Sequence, residues 1–274
     1  MSGTFYVIGT PIGNLDDITI RQLDTLGAVD FICAEDTRVT LKLLNRFEIK
    51  KPLVSFHEHS SKADAQKIID RLLAGESCGI VTDAGMPCIS DPGEVLVKMC
   101  AESGIDIKVV PGPSAVVSAV AVSGLSTRRF TFEGFLPVPK KERTERLEKL
   151  RGETAVMVFY EAPHKLKTTL ADLAQAFGGE RRISLCRELT KIHEEVLRLT
   201  LAEAVEYYNN NEPRGEFVLV LEGAQEVAGE EITIEQAMAQ VQKLIEMGEK
   251  PTDACKAVAK ETGFRKSELY AKLQ

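Results

Sequence analysis

Short apolar runs alternate with longer segments of helical periodicity along the first half of the chain. Between two of the runs, apolar side chains recur at three- and four-residue steps, as in Ile68, Ile69, Leu72 and Leu73. Strand and helix in alternation predict a mostly parallel α/β sheet that binds ligands beyond the carboxyl ends of its strands. The predicted strands are 4–9, 31–36, 52–56, 78–83 and 107–112, and the predicted helices are 62–74, 94–103 and 114–122.

The pattern changes after the apolar helix at 114–122, where prolines, aromatic residues and charges predict a domain boundary near 123–128. A second α/β unit follows, with strands at 155–160, 182–188, 194–200 and 216–223 and helices at 163–177 and 201–209. The acidic segment 223–231 lacks periodicity and enough apolar side chains to bury, which is typical of a linker. Three short helical patterns then indicate a helix-turn-helix-like tail, with Gly263 at the turn. The predicted domains are therefore 1–123, 124–226 and 232–274.

The composition excludes a disordered chain, because 44% of the 274 residues are hydrophobic and 27% are charged. The longest weakly polar run, residues 115–125, has 11 residues and two serines, whereas a membrane span needs about 18 or more. No basic residue precedes the apolar N-terminal stretch, as it would in a signal peptide. We therefore expect a cytoplasmic protein that does not enter a membrane.

The charge balance restricts how the chain can contact nucleic acid. The formal net charge is −7, which is the wrong sign for nonspecific coating of RNA or DNA. Two stretches, 38–51 and 128–151, each have a local net charge of +4 and are candidate RNA contacts or ordinary solvated helix faces. The six cysteines form no C-x-x-C pair, and we interpret them as small buried hydrophobes.

Two glycine-containing loops follow predicted strands. In the first, at 9–19, Pro11 stands where a dinucleotide-binding loop has its second glycine, and no Walker lysine follows. A pyrophosphate ligand is thus disfavoured, and a nucleoside without phosphates remains open. The other loop, at 82–94, combines two aspartates, two glycines and two prolines. Its glycines permit close backbone approach to a ligand and Asp83 can accept hydrogen bonds, whereas Asp91 before Pro92 is typical of a helix N-cap.

Polar residues also follow the second and third strands, in the segments AEDTR (34–38) and SFHEHS (55–60). His57, Glu58 and His59 do not make a convincing metal site, because only alternate residues of an extended segment share a face. We predict no metal. No G-x-S-x-G elbow indicates a hydrolase either. The candidates for a general base are chosen by position alone, and no spacing selects among them: Glu35, Asp36, His57 and Glu58.

Six ordered motifs resemble the tetrapyrrole methylase superfamily, and in it the RNA-modifying branch of bacterial 16S ribosomal RNA cytidine 2′-O-methyltransferases. The motifs are GTPIGNLDDI, AEDTR, SFHEHS, TDAGMPCISDPG, PGPSA and FEGFLP, and the similarity extends through YEAPHK to about Gly223. The resemblance implies two α/β domains with S-adenosylmethionine in the cleft between them, and a homodimer. It also implies methylation of the 2′-hydroxyl of cytidine 1402, in the decoding centre of 16S ribosomal RNA, with the 30S subunit as the partner.

The resemblance assigns site residues as well. Those implied to touch the cofactor are Pro11, Asp83, Ala84, Gly85, Met86, Ile89, Ser114, Ala115, Tyr160 and Leu189. Lys140 and Lys141 match the family's basic loop near the RNA, and the two basic stretches add Arg38, Arg128, Arg129 and Arg143 as candidate RNA contacts. The family more often has Thr at the position of Met86 and Leu at that of Cys88.

The chemistry of the expected cofactor fits these loops, because S-adenosylmethionine carries a sulfonium cation and no phosphate. Alignment of acceptor oxygen, methyl carbon and sulfur can contribute up to about 7–11 kcal/mol to such a displacement. A general base adds about 10²–10⁴ in rate. Two alternatives stay open: methylation of a carbon of a tetrapyrrole precursor, and a non-catalytic nucleoside-sensing module whose tail, with a net charge of +2 over 253–274, reads DNA.

Overall fold

The computed structural model describes residues 2–89, 91–225 and 233–273. These residues form two compact units, Met1–Ala224 and Gln225–Gln274. The first unit contains two five-stranded sheets with helices packed on them, and the second is helical. The predicted α/β class with a C-terminal helical module is therefore confirmed.

The first sheet is wholly parallel, so the carboxyl ends of its five strands lie along one edge. Its central strand CGIV is buried at every residue, as expected of a strand covered by helices on both faces. The strands, in the order β3-β2-β4-β1-β5, are β1 (Thr4–Ile8), β2 (Phe31–Ala34), β3 (Leu53–Ser55), β4 (Cys78–Val81) and β5 (Asp106–Val110).

Five helices connect and follow these strands: α1 (Ile20–Ala28), α2 (Thr37–Arg46), α3 (Lys62–Leu73), α4 (Gly93–Glu102) and α5 (Ala115–Val122). Local capping sets where several of them begin. The hydroxyl of Thr19 accepts from the backbone N–H of Gln22 to start α1, and the carboxylate of Asp36 accepts from that of Arg38 to start α2. The loops before α1 and α2 therefore pass into their helices at defined residues.

The second sheet is mixed, because only β6 and β7 run parallel. Its strands, in the order β6-β7-β10-β8-β9, are β6 (Phe130–Phe135), β7 (Val156–Glu161), β8 (Arg182–Arg187), β9 (Glu195–Thr200) and β10 (Phe217–Leu221). Its helices are α6 (Lys140–Leu150), α7 (Pro163–Phe177) and α8 (Leu201–Asn210). The sequence pattern predicted neither β6 nor α6, only a boundary there, and in the first sheet it predicted neither α1 nor α2.

Helix α5 joins the two sheets. It follows β5 of the first sheet, but its side chains of Val116, Ala119 and Val120 are buried with Val218 and Val220 of β10 in the second. The guanidinium of Arg198 donates to the carbonyl oxygens of Val122 and Ser123 at distances of 2.6 and 3.2 Å. Helix α5 thereby links the two sheets, which share the lining of one cleft, and the domain boundary at 123/124 stays a prediction.

Three helices form the C-terminal unit: α9 (Ile234–Glu246), α10 (Pro251–Thr262) and α11 (Lys266–Ala271). Gly263 ends α10 in the left-handed region at φ 77°, which glycine adopts without steric cost. The predicted linker at 223–231 lies largely outside the described residues, and the helix-turn-helix interpretation stays a prediction. Among the helices described, none has the length and apolar character needed to cross a membrane.

Candidate active site

The loops after β1 and β4 are bonded to each other. The backbone N–H of Thr10 donates to the carbonyl of Gly85 at 2.9 Å, and that of Gly85 donates back to Thr10 at 3.1 Å. The Thr10 hydroxyl donates to the carbonyl of Thr82 at 3.1 Å. Gly85 has φ +85°, a conformation that other L residues rarely adopt. The two loops therefore form one rigid floor at the edge of the first sheet.

A close backbone approach brings the loop after β5 to the same place. A Cβ on Gly9 would lie 2.8 Å from the Cα of Gly112 and 2.8 Å from the sulfur of Met86. The buried side-chain amide of Gln22 donates to the carbonyl of Gly9 at 2.6 Å. Three strand-end loops are thus packed main chain against main chain, which leaves their inner surface free for a ligand.

The cleft between the sheets contains a cavity of about 600 Å³, in the range of about 300–1,000 Å³ typical of small-molecule sites. Both sheets contribute walls. From the first sheet and α5 come Ile12, Glu35, Thr82, Ala84, Gly85, Met86, Ile89, Asp91, Ser114, Ala115 and Val116. From the second come Phe135, Tyr160, Glu161, Ala162, Pro163, His164, Cys186, Glu188, Leu189, Lys191, Glu216, Phe217 and Val218. We call this the first cavity.

The first cavity is acidic. Five carboxylates line it, those of Glu35, Asp91, Glu161, Glu188 and Glu216, against the single cation of Lys191. The Lys191 ammonium is already bound to the carboxylates of Glu188 and Glu216, each at 2.8 Å. The lysine stem lies across Gly13, where a Cβ would come within 2.6 Å of it.

Ionisation within this network is shifted by its pairing. The ammonium of Lys191 lowers the pKa of Glu188. Burial disfavours the charge of Lys191, but hydrogen bonds to the two carboxylates outweigh it and raise the lysine pKa. Lys191 and Glu188 are therefore both charged at neutral pH, and the lysine, already bound to two carboxylates, is not free to bind a phosphate.

Three polar side chains meet on the opposite wall of the first cavity. The hydroxyl of Thr82 donates to the carboxylate of Glu35 at 2.8 Å. The carboxylate of Asp91 accepts from the backbone N–H of Gly93 at 2.7 Å, and burial raises its pKa. Unlike the other carboxylates of the cavity, that of Glu35 has no cation or backbone N–H bonded to it among the described residues.

Two helix starts also face the first cavity. Helix α5 begins after Ser114 and helix α7 after Ala162, and neither residue caps the helix with a side-chain hydrogen bond. The first-turn N–H groups at such a start attract a carboxylate. The Tyr160 ring also lines the cavity and packs on Phe132 and Phe135 at centroid distances of 4.9 and 5.6 Å. Burial raises the pKa of its hydroxyl.

A second cavity of about 370 Å³ adjoins the first. It lies between the loop after β1, the start of α2 and the loop after β4, where Asp83 accepts from the backbone N–H of Asp36 at 3.2 Å. Burial raises the pKa of Asp83. The lining residues are Thr10, Pro11, Ile12, Gly13, Leu15, Val39, Thr40, Lys42, Leu43, Thr82, Asp83, Ala84, Lys191 and Glu216.

The residues that the resemblance assigned to the cofactor fall in both cavities. Eight line the first one: Ala84, Gly85, Met86, Ile89, Ser114, Ala115, Tyr160 and Leu189. Pro11 and Asp83 line the second cavity, which also includes Ala84. The structure thus brings residues from four separate loops and both sheets to one cleft.

The four general-base candidates separate from one another. Glu35 lines the first cavity. The carboxylate of Asp36 is bound by the Arg38 side chain, which holds its pKa at about 2. His57 and Glu58 line neither cavity, and the Glu58 side chain is 79% exposed and contacts only the His59 ring at 3.3 Å. Of the four candidates, Glu35 alone lines either cavity, and its role as the base stays a prediction.

The basic candidates also differ in their surroundings. Arg38, Arg128, Lys140 and Lys141 are exposed, and exposed Arg129 pairs with Glu153 at 2.7 Å. The Arg143 side chain is only 14% exposed, pairs with Asp172 at 2.6 Å, and donates to the carbonyl of Val138 at 2.8 Å. Arg143 therefore holds the turn between β6 and α6, and we leave it out of the proposed RNA contacts.

The side chains of the first cavity fit S-adenosylmethionine. Apolar and aromatic walls suit an adenine, the uncapped start of α5 suits the amino acid carboxylate, and the surrounding carboxylates suit a sulfonium cation. A diphosphate in this cavity would be repelled by five carboxylates, and the Lys191 ammonium is already bound to two of them. No cluster of three or more metal-ligating side chains occurs among the residues that the structure describes.

Fifteen residues of the first cavity's lining had no site role assigned from the sequence, among them Asp91, Phe135, Glu161, His164, Lys191 and Glu216. Asp91 was interpreted only as a helix cap, which it also is. Lys191 and Glu216 lie in segments between strands of the second sheet, where no motif indicated a site. Only the three-dimensional structure shows that these residues belong to the site, because the cleft brings together loops from two sheets that are far apart in the sequence.

Comparison with known proteins gives a consistent set of relatives. The family model described as Tetrapyrrole (Corrin/Porphyrin) Methylases matches residues 4–205. A Halalkalibacterium halodurans protein named ribosomal RNA small subunit methyltransferase I is 45% identical over 271 residues, 98% of this chain and 93% of that protein. A Thermotoga maritima protein of the same name is 49% identical over 221 residues, 81% of this chain and 99% of its own length.

Among solved structures, a uroporphyrin-III C-methyltransferase of Thermus thermophilus complexed with S-adenosylhomocysteine has a TM-score of 0.56. The two chains are 15% identical, and the match covers 80% of this chain and 97% of that one. At that identity the likeness concerns the fold alone.

Proposed function

Because the chain belongs to the tetrapyrrole methylase family of S-adenosylmethionine-dependent methyltransferases, we propose that it methylates the 2′-hydroxyl of a cytidine in 16S ribosomal RNA. The target is cytidine 1402 of the decoding centre. The relatives that share 42–49% of its sequence carry the name of a ribosomal RNA small subunit methyltransferase. The names of those relatives support methylation of small-subunit ribosomal RNA, and the resemblance of the sequence motifs supports the 2′-oxygen as the acceptor atom.

The observation that carries the proposal is the acidic cavity between the sheets, whose lysine is already bound to two carboxylates. Its carboxylates complement a sulfonium, and loops from both sheets enclose it. When bound there, S-adenosylmethionine supplies a methyl group already activated for displacement. The chain therefore contributes mainly orientation, through the bonded loops of Thr10 and Gly85 and the walls around them.

Deprotonation of the ribose hydroxyl is assigned to Glu35. A 2′-hydroxyl is a weak acid, so a carboxylate that accepts its proton during transfer raises the rate. The Thr82 hydroxyl, bonded to Glu35 at 2.8 Å, fixes the orientation of that carboxylate. The loop after β8 is held against Gly13 by three positioning residues, Lys191, Glu188 and Glu216.

The partner in this proposal is 16S ribosomal RNA, within the 30S subunit, in the bacterial cytoplasm. Exposed basic side chains at Arg38, Arg128, Arg129, Lys140 and Lys141 supply phosphate contacts despite the net charge of −7. We also propose a homodimer, as the resemblance implies.

The deciding experiment incubates the full chain with methyl-labelled S-adenosylmethionine and either 30S subunits or protein-free 16S RNA. We expect label on the 2′-oxygen of one cytidine, found by nuclease digestion and mass spectrometry. Uroporphyrinogen is the control acceptor. Label on the tetrapyrrole alone, or cofactor binding with no methyl transfer and duplex DNA binding by the tail, contradicts the proposal.

A further inference from the structure

We propose that the second cavity binds the acceptor nucleotide, a cytidine turned out of its RNA strand. This inference rests on the proposed function, and it names the place and the side chains that receive the base. It assigns Pro11 and Asp83, which the resemblance assigned to the cofactor, to the acceptor nucleotide instead. A base inside an RNA fold is out of reach of a buried site until it leaves the stack. The receiving pocket must therefore be open to the surface and continuous with the cofactor site.

The two cavities are continuous. Five residues line both of them: Ile12, Thr82, Ala84, Lys191 and Glu216. A methyl group passes directly only between atoms already about 3–3.5 Å apart. A cofactor in the first cavity and a ribose in the second meet at this shared wall, where Thr82 also holds Glu35.

The second cavity is lined by apolar side chains that are not buried in the protein core. Leu15 and Val39 are 42% and 37% exposed, and Leu43 completes the lining. Val39 and Leu43 lie four residues apart on α2 and so share one face of that helix. A flat pyrimidine between such side chains removes this apolar surface from water. The volume of about 370 Å³ suits one nucleoside better than a paired duplex.

The polar groups of the second cavity match the donor edge of cytosine. Of its charged groups, Lys191 and Glu216 neutralise each other. Asp83 accepts a single hydrogen bond among the described residues, from the backbone of Asp36, so one of its oxygens remains free. A carboxylate accepts from the exocyclic amine of cytosine, whereas uracil presents a carbonyl there.

A basic row borders the second cavity along α2. Arg38, Lys42 and Arg46 are exposed and spaced by four residues, so successive charges lie about 6 Å apart along the helix axis. Lys42 itself lines the cavity. Within the described part of the chain, Lys42 and Arg46 have no ion-pair partner, so their charges are available to the phosphates that flank a flipped nucleotide.

The first test introduces a bulky side chain at the apolar wall of the second cavity. We expect Val39→Trp to raise KM for 30S subunits by at least about tenfold, and to leave the Kd of S-adenosylhomocysteine within about twofold. Leu41→Trp is the matched control, because Leu41 is on the same helix and exposed but lines neither cavity. It is expected to leave both values unchanged. An unchanged KM in Val39→Trp overturns the inference, and so does an equal loss of cofactor affinity.

A second variant tests the polar recognition. Asp83→Asn replaces an acceptor with an amide that can donate, so we expect it to lose most of the preference for cytidine over uridine at the target position of a short RNA substrate. If both substrates slow by the same factor, Asp83 does not read the base. The measurement compares kcat/KM for the two RNAs in the wild type and the variant.

Failure of the proposed function remains distinguishable from failure of this inference. If the wild type methylates no RNA, binding of cytidine 5′-monophosphate in the presence of S-adenosylhomocysteine is followed by ligand-observed NMR. Binding that Val39→Trp abolishes and Leu41→Trp retains supports the nucleotide site without the reaction. Binding that is absent from the wild type, or unaffected by Val39→Trp, overturns it.

Discussion

At Gly85 the backbone conformation and the cavity wall depend on the same residue. Its φ of +85° disfavours a side chain, and a Cβ there would lie 3.3 Å from Ile12 and 3.6 Å from the carbonyl of Pro113. We expect Gly85→Val to weaken cofactor binding by at least about tenfold, because the side chain projects into the first cavity's wall. Calorimetric titration with S-adenosylhomocysteine measures the loss.

The control for this change is Gly104→Val. Gly104 has φ +66°, but open space surrounds its Cβ position, remote from the cavity lining. Both variants carry backbone strain of about 1–3 kcal/mol. Only Gly85→Val should lose affinity, and equal cofactor binding by the two variants would refute the placement of the cofactor.

Glu35 is the residue on which the proposed chemistry depends. Glu35→Gln keeps the shape and loses the proton acceptor, so kcat should fall by about 10²–10⁴ while the Kd of S-adenosylhomocysteine stays nearly constant. Glu58→Gln removes a carboxylate from the neighbouring strand end, which is exposed and outside both cavities, and should leave kcat intact. Single-turnover rates on 30S subunits separate the two outcomes, and a fully active Glu35→Gln excludes Glu35 as the base.

At the residue scale, a motif in the sequence identified residues that the structure brings together. Ala84, Gly85 and Met86 share one loop and line the first cavity, and their contact with the cofactor stays a prediction. Choice among Glu35, Asp36, His57 and Glu58 required the structure, because all four follow strands of the same edge. Side-chain direction and partners, not spacing, distinguish them.

At the N-terminus of helix α2, next to the basic row, the Asp36–Arg38 ion pair makes a pH-dependent contribution to stability. Arg38 holds the pKa of Asp36 at about 2 in the folded chain, well below that of an unfolded aspartate. The charged carboxylate therefore contributes stability above about pH 4, and this contribution disappears as the pH falls toward 2. We expect the stability difference between wild type and Asp36→Asn to shrink between pH 5 and about 2. A difference that is constant over this interval in chemical denaturation contradicts the assignment.

The same helix should account for part of the salt dependence of RNA binding. Each phosphate contact to a single strand contributes about 0.7 to the slope of log affinity against log salt concentration. The double variant Lys42→Ala and Arg46→Ala should therefore flatten the slope by about 1.4. Lys98→Ala with Lys108→Ala changes the net charge equally, at lysines paired with Glu102 and Asp106. If both pairs flatten the slope alike, the effect is one of overall charge.

At the level of elements, the sequence predicted nine of the ten strands that the structure describes and missed β6. The run CGIV is continuously apolar and buried, and its prediction at 78–83 was accurate to two residues. Strand β6 is at the sheet edge, with Phe130 and Phe135 exposed and a register shift between Phe132 and Gly134. The alternation of buried and exposed side chains along β6 is therefore broken. The charged helix α6 that follows buries two of its side chains, Leu147 and Leu150.

At the scale of the whole molecule, the function depends on two sheets that α5 joins. The parallel sheet supplies bonded loops and the mixed sheet supplies Tyr160, Leu189 and the Lys191 network. The alternation of strands and helices predicted an α/β chain, whereas the cleft depends on α5 packing on β10, a contact between residues distant in sequence. Local patterns do not encode such a contact.

The most direct measurement is a crystal structure of the full chain with S-adenosylhomocysteine bound. The account predicts density in the first cavity, with the nucleoside against Gly85, Ala115 and Leu189 and the second cavity open beside the sulfur. Density for the ligand elsewhere on the molecule, or in the second cavity with the first one empty, would contradict it.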